Sequence, residues 1–293
     1  MTHKAGFIGI VGKPNVGKST FSNLLIGERL SIISPKAQTT RHRILGIINE
    51  ENYQLIISDT PGVIKPNYKL QEHMMSVIGD IFNDSDLILT MIAADDAELP
   101  DEIIEKLGKS KQAKILLINK CDLIKAAEME ILIDKYLKMN LFKQVFAISA
   151  KNGINKSFLI SDLLPYIPEH PPFYPKDQLT DRNERFFVEE MVREAIFYNY
   201  KQEIPYATQV EVIQFKEDTT IIRIVATIFA ERESQKGILI GPKGVGIKRI
   251  GIAARKLCEE FFGKQIFLDL QISVKRDWRK NDQTLKRFGY KSE

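Results

Sequence analysis

The segment Gly12–Thr20, GKPNVGKST, meets the spacing G-x-x-x-x-G-K-[ST] in full, after an apolar run and ahead of a helical pattern. Gly12 and Gly17 let the backbone curl so that successive N–H groups face phosphate oxygens. Lys18 is long enough to reach the β- and γ-phosphates, and Ser19 offers a hydroxyl to Mg²⁺. The helix that follows adds the partial positive charge of its N-terminus. Asn15, Val16 and Thr20 complete the set of candidate nucleotide contacts in this loop.

A phosphate loop does not choose a base. NKCD (Asn119–Asp122) does, because it follows the apolar run KILLI. The Asp122 carboxylate can accept from the two donors on N1 and N2 of guanine, and adenine offers no such pair. Asn119 suits N7 and the neighbouring loop, and the aliphatic stem of Lys120 can cover the base. After the next apolar run, ISAKNG places Ser149, Ala150 and Lys151, with the Ala150 N–H as a donor for guanine O6.

Asp59 ends an apolar run within SDTPG, where its carboxylate suits Mg²⁺ through water; Thr60, Pro61 and Gly62 then turn the chain near the γ-phosphate. In KAQTTRHR (Lys36–Arg43), Thr40, or its neighbour Thr39, offers a hydroxyl that completes the Mg²⁺ shell only when a γ-phosphate is present. The expected metal set is Ser19, Thr40 and Asp59, and the loop around Thr40 is an order–disorder switch.

These five motifs, in this order, resemble the translation-factor class of GTPases. SPKAQTTRHRILGI, followed by DTPG and a C-terminal glycine loop, resembles the Era-like GTPases closely, along essentially the whole chain from FIGIVGKPNVGKST to WRKNDQTLKRFGY. The resemblance implies GTP hydrolysis to GDP, a type II KH domain, and binding to the 3′ end of small-subunit (16S) rRNA. It also implies a role in assembling the small ribosomal subunit and a peripheral place on the inner membrane. One position departs from the Ras-like pattern, in which a glutamine orients the attacking water. Val63 stands there, with Ile64 beyond it, so the group that orients water is unassigned. Lys18, Thr40 and Gly62 are left to support the transition state, with slow intrinsic turnover expected.

A second glycine loop, GILIGPKGVGIKRIG (Gly237–Gly251), fails the phosphate-loop pattern because Ile247 occupies the lysine position. G-x-x-G between two helices instead matches a KH domain, whose loop clamps about four nucleotides of single-stranded backbone. Gly241 and Gly244 permit close approach, Pro242 and Lys243 lie between them, and Lys248 and Arg249 follow on the next helix. Ile238, Ile240 and Ile247 are candidates for the groove floor. Trp278 is read as anchoring the last strand, with base stacking as the alternative.

The surroundings support two jobs. Residues 1–179 carry 21 basic and 21 acidic residues, so the net +4 of the 293-residue chain lies beyond them. Between Lys236 and Arg287 there are 13 basic and 5 acidic residues, a potential suited to a polyanion. AGFIGIVG, YQLIISDT, LILTMIA, KILLINK and QVFAISA alternate with helical patterns, which predicts a doubly wound, mostly parallel α/β sheet. IPEHPPFYPK breaks that pattern with four prolines in ten residues. The expected organisation is a GTPase domain over 1–168, a linker over 169–182, and a smaller α+β type II KH domain with a basic tail over 183–293.

Two cysteines make no disulfide framework, and no apolar run approaches a membrane span. A cytoplasmic monomer, placed if at all on the inner face of the membrane, is the expectation. Two rivals stay open on the residues: a nucleotide-sensing RNA-binding protein without turnover, and a membrane-surface GTPase.

Overall fold

The computed structural model describes residues 3–34, 36–153 and 156–290, and its chain forms two units. The first comprises Met1–Ser31, Thr40–Lys65 and Met74–Asp181; the second comprises Ile32–Thr39, Pro66–His73 and Arg182–Glu293.

In the first unit the apolar runs become strands. In chain order they are β1 (Lys4–Gly12), β2 (Ile44–Asn49), β3 (Tyr53–Asp59), β4 (Leu87–Ala93), β5 (Ala113–Asn119) and β6 (Gln144–Ala147). The helices are α1 (Lys18–Ile26), α2 (Lys69–Asp84, of which Met74 onward lies in this unit), α3 (Asp101–Lys109), α4 (Ala126–Leu137) and α5 (Lys156–Leu163). The sheet order is β2-β3-β1-β4-β5-β6, parallel except for β2, which runs antiparallel to β3. Along β4, Leu87 and Leu89 face α1 and α5 through Phe21, Leu25, Leu159 and Leu163. Ile88 and Ile92 face the other way, against Ile78, Ile103, Leu107 and Tyr136 of α2, α3 and α4. Strands buried on both faces need no polar alternation, which is why these runs read as unbroken Ile, Leu and Val. Parallel strands also gather their carboxyl ends on one side, where open α/β sheets bind ligands.

ILGIIN, between the switch segment and β3, forms β2, a strand that was not among the apolar runs read from the sequence. One expectation needs correction. Residues 169–182, expected as a linker, are largely part of the first unit: Asp181 is its last residue, and the segment lies along its sheet. Gln54 Nε2 donates to the Tyr174 carbonyl at 2.8 Å, and its Oε1 accepts from the N–H groups of Phe173 and Tyr174. Ile47 N–H donates to Leu179 O at 2.8 Å, and Leu45 N–H to Asp181 Oδ1 at 3.0 Å. Prolines cost the segment donors, but its carbonyls still serve β2.

The second unit contains α6 (Glu184–Asn199), β7 (Thr208–Glu217), β8 (Ile221–Ala230), α7 (Glu233–Ile240), α8 (Val245–Phe262), β9 (Gln265–Val274) and α9 (Asp282–Arg287). The order α-β-β-α-α-β is that of a type II KH domain. Its sheet is β7-β8-β9, with β7 antiparallel and β9 parallel to β8. Ile222, Ile224, Ala226 and Ile228 alternate into the core, as a strand covered on one face requires. Asn183 caps α6, accepting from Phe186 N–H at 3.0 Å. Trp278 is fully buried and donates Nε1–H to Ala207 O at 3.1 Å, so it packs rather than stacks on a base. Residues 32–39 and 66–73, expected within the first domain, belong to this unit because their hydrogen bonds run to α6 and within the unit. The last three residues of the basic tail lie outside the described residues.

Candidate functional site

The loop after β1 closes because glycine is required twice. A Cβ at Gly12 would lie 2.2 Å from the Met91 carbonyl. At Gly17 the φ of 101° is left-handed, and Asn15 takes φ 61° two residues earlier. Lys18, only 6% exposed, donates Nζ–H to the carbonyls of Gly12 at 3.1 Å and Lys13 at 2.8 Å. Burial lowers its pKa from 10.5 to about 8, against the opposing attraction of Asp59.

Asp59, at the end of β3, is fully buried, and neither carboxylate oxygen has a hydrogen-bond partner among the described residues. Burial pushes its pKa up, opposed by the nearby Ser31 and Ser19 hydroxyls, the Lys18 ammonium and the Thr60 N–H. Ser19 Oγ lies 2.9 Å from Thr40 Oγ1, which selects Thr40 over Thr39 as the hydroxyl beside the loop. An orphaned buried carboxylate near two hydroxyls is a set of hard oxygen donors, and it fits Mg²⁺.

The turn after Asp59 is locked onto the phosphate loop. Thr60 Oγ1 donates to Ile10 O at 2.6 Å, Val63 N–H to Gly12 O at 3.0 Å, and a Cβ at Gly62 would lie 2.6 Å from Pro14 Cα. Val63 packs against the α2–α4 side of the core, so its side chain holds the turn.

Asn119 joins the base loops to the phosphate loop: Nδ2 donates to Val16 O at 2.7 Å, and Oδ1 accepts from Ala150 N–H at 2.9 Å. The Ala150 N–H, expected to face guanine O6, is therefore directed to Asn119. Cys121 N–H reaches Ile148 O at 3.1 Å, so the two loops after β5 and β6 are tied together. Lys120 takes φ 61° and pairs with Asp95 at 3.1 Å, while Lys13 pairs with Asp96 at 2.9 Å. Asp122 and Lys151 are exposed beside this frame, and Ser149 is buried within it. The structure thus gathers Gly12–Thr20, Thr40, Asp59–Gly62, Asn119–Asp122 and Ser149–Lys151 at one end of one sheet. Pro14, Asp95 and Asp96 join them without having been sequence candidates, although a pair of aspartates just beyond β4 is the kind of signal that marks that end.

In the second unit, Gly241 (φ 69°), Lys243 (φ 49°) and Gly244 (φ 77°) shape the loop between α7 and α8. The helices meet closely because Gly246 has no side chain: a Cβ there would lie 2.4 Å from Leu239 O and 2.7 Å from Tyr200 Oη. Tyr200 Oη donates to Leu239 O at 3.1 Å, satisfying a terminal carbonyl of α7. Beside the loop, a groove between α8 and β9 is lined by Ile247, Ile252, Phe267 and Leu270, with Lys248 and Arg255 among them. Of the three isoleucines expected as its floor, only Ile247 lines it. Phe267, 53% exposed on β9, is not a sequence candidate, since a lone aromatic in a strand pattern reads as core.

Residues 7–120 match the family described as 50S ribosome-binding GTPase, and residues 203–279 match the KH domain family. The chain is 45% identical over 291 residues to GTPase Era of Syntrophus aciditrophicus, covering 98% of this chain and 95% of that protein. It is 42% identical over 294 residues to GTPase Era of Caldanaerobacter subterraneus subsp. tengcongensis, covering 99% of each. Among solved structures, a point variant of Aquifex aeolicus Era bound to GDP·AlF4⁻ superimposes with a TM-score of 0.93 at 35% identity, covering 99% of this chain and all of that one. Era in complex with MgGDPNP and nucleotides 1506–1542 of 16S ribosomal RNA gives the same TM-score at 36% identity and the same coverage. Identity sustained across both units, nearly end to end in both proteins, places this chain in the GTPase Era family.

Proposed function

We propose that this chain is a Mg²⁺-dependent GTP switch that binds the single-stranded 3′ end of 16S rRNA and acts in assembly of the small ribosomal subunit. The observation that carries the reading is the presence, in one chain, of a guanine-nucleotide frame locked by Asn119 and a G-x-x-G loop opening onto the Phe267 groove. The full-length similarity to Era bound to 16S rRNA nucleotides supports it. A cytoplasmic monomer belongs to the same proposal, and a peripheral place on the inner membrane is what the family resemblance adds to it.

Hydrolysis here is positioning and charge stabilisation. Lys18 exchanges its carbonyl partners for phosphate oxygens, and the curled backbone from Gly12 to Gly17 presents its N–H groups to the same charge. Ser19, Thr40 and Asp59 would hold Mg²⁺, which when bound neutralises charge on the β- and γ-oxygens. Val63 supplies no side chain that can orient the attacking water, so Lys18, Thr40 and Gly62 are left to support the transition state and turnover is slow.

Two assays test the reading. Phosphate release from GTP, dependent on Mg²⁺ and lost in Lys18→Ala, is expected; no release would leave a nucleotide sensor. RNA captured from lysate by GTP-loaded protein, compared with a Pro242→Asp/Lys243→Asp variant, should show one ribosomal RNA end lost from the variant. Equal capture by both proteins would refute the loop's role, and lipid binding that survives RNA removal would favour the membrane-surface alternative.

A further inference from the structure

The turn after β4 reaches the base loop and the phosphate loop of the first unit at once. It is tight, with Asp96 N–H donating to Ala93 O at 3.0 Å. Ala94 N–H donates to Asn119 O at 2.8 Å, Asp96 pairs with Lys13 at 2.9 Å, and Asp95 pairs with Lys120. In that last pair Lys120 Nζ lies 3.1 Å from Asp95 Oδ1 and 3.3 Å from Oδ2, so both carboxylate oxygens share the ammonium.

Lys120 is held at its other end as well. The peptide before it is fixed through Asn119 O, and the peptide after it through Cys121 N–H, which donates to Ile148 O at 3.1 Å. Its φ of 61° is left-handed, a conformation that lysine adopts only where its surroundings impose it. With Cα fixed by these bonds and the ammonium fixed by Asp95, the methylenes between them have a restricted course. A free lysine has large rotamer freedom, and ordering it against a ligand costs that freedom at the moment of binding. A stem ordered beforehand avoids the cost. Removing the Asp95 side chain should release Lys120 alone, because the Ala94 and Asp96 N–H bonds and the Lys13–Asp96 pair hold the turn without it.

We infer that Asp95 is a positioning residue for the guanine base: by anchoring the Lys120 ammonium it keeps the aliphatic stem in place to cover the ring. It thereby lengthens the stay of bound nucleotide, although it touches no reacting atom. The inference rests on the reading of the Lys120 stem as the cover of the base.

The test uses the full-length protein with Asp95→Ala, Asp95→Glu, Lys120→Ala, Lys120→Met and the pair Asp95→Ala/Lys120→Met. Dissociation of fluorescent GDP is followed by stopped flow at several salt concentrations, beside the thermal midpoint of each protein. At low salt the rate for Asp95→Ala should rise about threefold, the size of a partly exposed ion pair, with Asp95→Glu between it and the parent. The midpoint should hold. Salt screens the pair, so the parent and Asp95→Ala rates should converge as ionic strength rises. Methionine keeps an unbranched stem without the charge that Asp95 holds, so Asp95→Ala should add nothing in the Lys120→Met background. The same rise in both backgrounds would mean a merely structural role and would overturn the inference. Slower dissociation from Asp95→Ala would overturn it too, since the pair would then draw Lys120 away from the base. If Lys120→Ala leaves dissociation untouched, the reading of the stem as a cover fails first; if Lys120→Ala quickens it and Asp95→Ala does not, the Asp95 inference alone fails.

Discussion

Asn119 bars any side chain from position 17. The Cβ site of Gly17 lies 2.2 Å from Asn119 Nδ2, the same nitrogen that donates to Val16 O at 2.7 Å. Gly17→Ala must therefore break that bond as well as strain a φ of 101°. Nucleotide affinity should fall by roughly a hundredfold, on the order of 3 kcal/mol, read by fluorescent GDP titration. Gly27, also left-handed but with nothing within 4 Å of its Cβ site, is the control, and Gly27→Ala should leave GDP affinity unchanged.

Lys18 makes nucleotide binding a proton-linked event. Its pKa of about 8 in the protein rises when phosphate oxygens replace the carbonyls of Gly12 and Lys13. Near pH 8.5, binding should take up more than about half a proton, and affinity should weaken as pH climbs through 8. Calorimetry in buffers of different ionisation enthalpy measures the uptake; a value of zero at that pH would place the Lys18 pKa elsewhere. Before nucleotide binds, the lowered value works the other way, and this lysine's contribution to stability grows between pH 8 and its unfolded value of 10.5.

The strands that carry the site were legible in the sequence because burial on both faces removes polar alternation, as in LILTMIA and KILLI. The phosphate loop was legible because Gly12, Gly17, Lys18 and Ser19 are neighbours in sequence. Contacts that depend on long-range closure were not. Nothing in NKCD shows that Asn119 takes the Ala150 N–H, since that bond spans 31 residues. The prolines of 168–175 signal a break in regular structure, and a strap and a linker share that composition. Tyr200 and Arg193 read as ordinary residues of an amphipathic helix, and only the fold brings them to Leu239 and Thr39.

Glu189 carries a pH dependence unrelated to the nucleotide. It accepts from Val212 N–H at 2.9 Å, where β7 bulges between Val212 and Gln214. Burial raises its pKa from 4.5 to about 7, with Glu190 and Glu211 adding to the rise and the Val212 N–H and Arg193 opposing it. A raised folded-state value means the folded protein binds the extra proton, so stability from this group is complete below 4.5 and is lost as pH rises through 7. Glu189→Gln keeps an acceptor for Val212 without the charge. It should be more stable than the parent at pH 8, by up to about 3 kcal/mol, and match it near pH 4.5. Denaturant unfolding at the two pH values separates the cases.

Phe267 and Lys248 should act on RNA in different ways. Phe267→Ala removes a half-exposed aromatic face from the groove and should weaken single-stranded RNA binding by roughly tenfold, a typical loss for one stacked base. The thermal midpoint should hold. Lys248→Ala should weaken binding evenly across sequences and reduce the slope of log affinity against log salt by about one. Titrations of short labelled RNAs at several salt concentrations distinguish the two, and a salt slope that follows Phe267 instead of Lys248 would reverse the assignment.

The proline-rich strap also decides what happens to the GTPase unit when it is made alone. Leu179 O, Thr180 and Asp181 occupy the outer side of β2, where a bare strand would offer unpaired N–H and C=O groups to another molecule. A fragment ending at 168 would leave that margin open as a template for intermolecular strand addition and should associate in proportion to its concentration. One ending at 181 keeps its seal and should stay dispersed, a difference that light scattering of the two fragments would report. A short stretch with the composition of a spacer thus serves as protection against self-association.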